Sequence, residues 1–114
     1  MYQVNDWVVY NNKPYLIERF LDKKTVRLHG HDNRDIRHLP LYQIEQRALI
    51  PEFKPDQECL FLSQTSKLPN ESYVTVVEVR DDSYHKYLVC DEQGNQEVAT
   101  PFQLRLFYYI VRIF

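Results

Sequence analysis

The string His29-Gly30-His31-Asp32, with Asp35 and His38 close behind it, gathers imidazoles and carboxylates at short spacing. These are the nitrogen and oxygen donors that a divalent transition metal takes. His29, His31 and His38 are the candidate ligands. Against a metal, no second group of His or carboxylate follows at ligand spacing, and Gly30 reads as the start of a turn. The segment is therefore read as a solvated hairpin tip, with metal binding as the alternative and no cofactor expected.

The same stretch holds the basic excess of the chain. Arg19, Lys23, Lys24, Arg27, Arg34 and Arg37 lie between positions 19 and 38, opposed there only by Asp22, Asp32 and Asp35. Residues 1–55 carry nine Lys and Arg against seven Asp and Glu, a net +2; residues 56–114 carry five against nine, a net −4. A total of −2 excludes a general nucleic-acid coat, whose affinity comes from neutralising phosphates. Adjacent strands could still bring the six cations onto one face able to contact a phosphate backbone or another anionic partner.

Other chemistry finds little support. Two glycines cannot build a phosphate-cradling loop. Cys90 follows His85 by five residues, and an odd separation on a strand places side chains on opposite faces. Ser83 stands beside His85 in what reads as a turn. The chain is expected not to be an enzyme.

Cys59 and Cys90 are each embedded in an apolar run and read as buried free thiols of a reducing compartment. No basic start and long apolar core opens the chain, and no apolar run approaches the roughly 18 residues of a membrane span. The expected location is the cytoplasm.

The elements that must position these residues are short strands. Hydrophobic residues make up 44% and aromatics 14% of a 114-residue chain, so large rings must supply much of a small core. Residues 25–29 alternate with period two, which turns Val26 and Leu28 inward and Arg27 and His29 outward. Further strands are expected at 7–10, 14–20, 36–39, 59–62, 73–80, 85–90 and 96–100, with single helical turns near 41–45 and 101–104. Asn and Asp serve the turns where glycine is absent. Residues 51–55, bounded by Pro51 and Pro55, read as a stiff connector.

A repeat runs through this order. Leu16-Ile17-Glu18 against Val76-Val77-Glu78, Asp22 against Asp82, and Tyr42-Gln43-Ile44 against Phe102-Gln103-Leu104 share an offset of 60. Self-similarity of this length points to duplicated small β units. The predicted fold is all-β, with one unit over 1–50 and a second over 56–114, packed together.

Asn5-Asp6, Trp7-Val8, Lys13-Pro14-Tyr15-Leu16-Ile17, Thr25-Val26-Arg27-Leu28 and the exit Leu39-Pro40-Leu41 follow one another as in a small barrel. The chain resembles the SH3-like barrels, the group of Tudor and KOW modules, over 4–46 and more loosely over 56–107. That resemblance implies two barrels in tandem and binding through loops and edge strands, with no particular ligand. A Tudor-type cage for a cation would draw on Trp7, Tyr10, Tyr15 and Tyr42, or on Phe61, Tyr73, Tyr84 and Phe102; core packing is the reading preferred for each.

Residues 107–114 are almost wholly apolar, with Arg112 the only charge. Left free, such a β segment would aggregate. It is expected to close or bridge the two units, or to pair with another chain through Tyr108, Tyr109, Ile110, Val111 and Ile113, giving a monomer or a homodimer. The functional expectation is a non-enzymatic protein–protein interaction module: a small regulator, adaptor or inhibitor of bacterial or phage origin. Nucleic-acid binding through the basic face is the alternative.

Overall fold

The computed structural model describes residues 1–31, 35–63, 68 and 71–106. They fall into two units, Met1–Ile50 and Pro51–Phe114. Unit 1 contains β1 (Trp7–Tyr10), β2 (Lys13–Phe20), β3 (Thr25–Gly30), β4 (Ile36–Pro40), a 3₁₀ turn (Leu41–Gln43) and β5 (Gln46–Arg47). Unit 2 repeats the order with β6 (Glu58–Phe61), β7 (Ser72–Val79), β8 (Tyr87–Cys90), β9 (Gln96–Ala99), a 3₁₀ turn (Pro101–Gln103) and β10 (Leu104–Leu106). The fold is all-β, as the sequence implies.

Each unit is one five-stranded antiparallel sheet. The spatial order is β4-β3-β2-β1-β5 in the first and β10-β6-β7-β8-β9 in the second. Read from the other edge, the second is the first repeated. Among the described residues the end strands of each sheet do not pair with one another.

Local chemistry explains the turns. Asn11 and Asn12 hold φ of 53° and 60°, the left-handed pair that a two-residue hairpin needs to match strand twist. Their short amide side chains make that region accessible without glycine. Asp22 accepts the Lys24 N–H at 2.8 Å, and Asp82 accepts the Tyr84 N–H at 2.9 Å, so the same carboxylate-capped turn follows the second strand of each unit. The β8–β9 hairpin turns on Gly94 at φ 87°, while Asp91 accepts the N–H groups of Gln93 at 3.0 Å and Asn95 at 2.8 Å.

The entry to each unit repeats as well. Asn5 (φ 75°) donates its N–H to Ile17 O at 2.9 Å, and Ile17 donates back to Asp6 O at 2.9 Å. Asp56 (φ 72°) donates to Val76 O at 2.8 Å, and Val76 donates back to Gln57 O at 2.9 Å. Ile17 and Val76 are then each followed by a bulge in the pairing of the second and third strands. The structural correspondence therefore equates Ile17 with Val76, one residue off the spacing of 60 read between Ile17 and Val77.

Two cores fill the inner faces. Val8, Tyr15, Ile17, Val26, Leu28, Leu39 and Ile44 form the first. Phe53, Cys59, Phe61, Leu68, Val74, Val76, Tyr87, Val89, Ala99 and Leu104 form the second. Fully burying a residue of the Val, Leu, Ile or Phe kind contributes about 1.5–3 kcal/mol, so either cluster can hold a small sheet. Val26 and Leu28 point inward as their alternation requires. Phe53 belongs to the second core: its N–H donates to Tyr87 Oη at 3.1 Å and its ring meets the Tyr87 ring edge-on at 5.3 Å. The 51–55 stretch is thus anchored into unit 2. Two strands were not legible in the sequence, β5 and β10. The expected terminal strand at 107–114, with Tyr108, Tyr109, Ile110, Val111 and Ile113, lies outside the described residues, and β10 comes before it.

Candidate functional site

The histidines do not converge. Cross-strand pairing sets His29 opposite Leu16 and Ile36, and His38 opposite Arg27. The Arg27 guanidinium stands 3.3 Å from His38 Nε2, a cation where a second metal ligand would be needed. Gly30 ends β3 rather than opening a turn; a side chain there would meet Asp35 Cβ at 2.9 Å. Asp32 is outside the described residues. Among those described, no three His, Cys, Asp or Glu side chains are grouped to hold a metal ion.

Asp35 serves the hairpin instead. Tyr15 Oη donates to one carboxylate oxygen at 2.6 Å and Arg37 Nε donates to the other at 2.7 Å. Burial first, then the Asp35 carboxylate, pushes the Tyr15 hydroxyl up to about 12. Burial alone would raise Asp35, but the Tyr15 and Arg37 bonds outweigh it and hold the carboxyl below its ordinary value. This triad pins the start of β4 to β2 and β3.

The basic set splits. Arg19, Arg27 and His38 stand in one cross-strand row, whereas Arg37 lies opposite Leu28, on the other face of the sheet. Arg27 Nε donates to Glu18 at 3.0 Å, and Arg37 is held by Asp35. Lys23 and Lys24 sit in the exposed turn before β3, and Arg34 is outside the described residues. Of the described cations, Arg37 therefore stands on a different face from Arg19 and Arg27.

Nor do the rings form an open cage. Trp7 and Tyr15 are buried, and Tyr10 meets Tyr15 edge-on at 5.7 Å, while Tyr42 is 75% exposed. In unit 2, Phe61 and Tyr84 are buried.

Tyr73 is different, and it leads to a surface that sequence reasoning missed. Along β7, Val74 and Val76 face the core, so Tyr73, Thr75 and Val77 face outward. Tyr73 is 53% exposed and Val77 43%. Register sets half-buried Leu60 opposite Tyr73, half-buried Cys90 opposite Thr75, and half-buried Leu88 opposite Glu78. The outer face of this sheet therefore sets Tyr73, Leu60, Cys90, Leu88 and Val77 among the polar Thr75 and Glu78. The signal was available: in Tyr73-Val74-Thr75-Val76-Val77 both parities are apolar or β-branched, whereas the outward parity of 25–29 is Arg27 and His29.

A groove of about 310 Å³ opens on the same face, lined among others by Glu58, Tyr73, Thr75, Cys90, Asp91 and Glu92. Glu58, Thr75 and Cys90 run across it in one cross-strand row, which Gln96 continues beyond the groove. The cysteines lie on opposite faces. Cys59 pairs with inward Val74, and Cys90 pairs with outward Thr75. Both are free, as expected, but only Cys59 is fully buried, and burial pushes its thiol up to about 11. Comparison with protein-family models, with curated proteins and with solved structures gave no match.

Proposed function

We propose that the chain is a non-enzymatic protein–protein interaction module, a small regulator, adaptor or inhibitor, and that the outer face of β6, β7 and β8 is its docking surface. The observation that carries the reading is the pair of exposed side chains Tyr73 and Val77, with half-buried Thr75 between them on the same face. Leaving apolar area in water forgoes about 25 cal/mol per Å² of burial, and a contiguous apolar patch marks a contact surface. The equivalent bulge in unit 1 makes the contrast. Glu18 occupies it and pairs with Arg27, while unit 2 puts uncharged Val77 there. Each unit is taken as an SH3-like module, a likeness supported by the shared strand order and by the single 3₁₀ turn before the fifth strand, and the cytoplasm is proposed as its location. Among the described residues no helix is long and apolar enough to cross a membrane.

The test is retention of binding species by the tagged chain from nuclease-treated and untreated lysate, run beside a Val77→Asp variant. The same protein retained from both halves by the wild type, and lost by the folded variant, is the expected result. Species retained only from the untreated half would replace this reading with nucleic-acid binding near Arg19, Lys23, Lys24 and Arg27.

A further inference from the structure

Three carboxylates border the unit 2 groove. Glu58 comes from β6; Asp91 and Glu92 come from the turn that follows β8. They reach it from different parts of the sheet, with Thr75 and Cys90 between them. Among the described residues no Lys or Arg lines the groove. On the same face Arg105 stands opposite Leu60, and Leu60 separates it from Tyr73 in that row. The Asn95 side-chain amide, then the backbone N–H groups of the turn, hold the Asp91 carboxyl below its ordinary value, so it is anionic at neutral pH. Unit 2 as a whole has ten Asp and Glu against six Lys and Arg over 51–114, a net of −4.

Resting on the docking surface proposed above, we infer that this groove receives a lysine or arginine side chain from an extended segment of the protein partner. The geometry divides the recognition. The exposed part of Tyr73, at the groove wall, packs against the alkyl stem. Glu58 and Glu92 supply charge at the rim, and Asp91 adds a fixed negative charge at the turn. Thr75 offers a hydroxyl beside the apolar floor. A basic side chain fits on charge, whereas an acidic one would face three like charges.

The experiment is an NMR titration of the full chain with N-acetyl-arginine amide, with N-acetyl-glutamate amide as the control. Shifts should appear at the amides of Glu58, Tyr73, Thr75, Cys90 and Glu92 with the arginine derivative and not with the glutamate derivative. The double variant Glu58→Gln with Glu92→Gln should raise Kd about three- to tenfold. Tyr73→Leu, which keeps an apolar side chain but removes the ring, should weaken binding as well. Preserved amide spectra of both variants establish that the fold is intact. Equal shifts with both derivatives, shifts centred on Asp81 and Asp82, or an unchanged Kd in the double variant would overturn the inference. If the arginine derivative leaves the groove unmoved while Val77→Asp still abolishes partner retention, the docking surface stands and only the basic side chain falls.

Discussion

Tyr15, Asp35 and Arg37 show how a segment that read as metal chemistry becomes a structural clasp. Removing the hydroxyl with Tyr15→Phe should cost about 1 kcal/mol, seen as a lower urea midpoint. It should also return the Asp35 carboxyl toward the ordinary range of about 3.9 by NMR titration, because its strongest hydrogen-bond donor is gone. An unmoved Asp35 would contradict the clasp. The acid limb has a definite sign. Asp35 titrates lower in the folded chain than in the unfolded one, so its contribution is complete above the ordinary value and disappears as pH falls through the lowered one. The alkaline limb runs the other way. Tyr15 is pushed up to about 12, so stability present below about pH 10 declines as pH rises through that folded value. Asp35→Asn should flatten part of the acid limb, and Tyr15→Phe part of the alkaline one. Thiol labelling gives a further test at this scale: Cys90 should react in the native chain, whereas Cys59 should wait for unfolding. Mild oxidant should form no Cys59–Cys90 bond, because the sheet lies between the two side chains.

At the scale of elements, the second strand of each unit carries the contrast between core and surface. Ile17 is fully buried immediately before its bulge, so Ile17→Ala should lower unfolding free energy by roughly 2–5 kcal/mol. Val77→Ala, in the corresponding bulge of unit 2, should change it by less than about 0.5 kcal/mol, since its side chain is 43% exposed. Comparable losses at both positions, by urea unfolding, would mean that the outer face is not the free surface described. Asp22→Ala and Asp82→Ala should each lower stability through the same lost cap.

Most strands were legible in the sequence because period-two alternation and Asn or Asp turns are local signals. The strand over 25–29 and the Asn11-Asn12 hairpin follow from neighbouring residues alone, whereas Gly30 joins β3 through its pairing with Tyr15. β5 and β10 were not legible, because two or three residues become a strand only when β1 or β6 supplies partners from far along the chain. The basic set misled for a similar reason. The strand partners of Arg37 decide its face, and Leu28 places it opposite Arg27 across the sheet. The outer face of β7 was written in Tyr73, Thr75 and Val77, yet a strand apolar on both parities reads equally well as fully buried.

For the whole molecule, two sheets of one strand order carry different outer surfaces, with the Glu18–Arg27 pair at the bulge of the first and exposed Tyr73 and Val77 beside an acidic groove on the second. Repetition explains the architecture; the difference between the two surfaces is what the functional reading rests on. The most direct measurement is site-specific photocrosslinking in the living source cell, with the photoreactive residue at Val77 and, as comparison, at exposed Tyr42. One discrete protein adduct is expected from position 77 and none of that mass from position 42. No adduct from 77, or the same adducts from both positions, would contradict a docking surface on the second sheet.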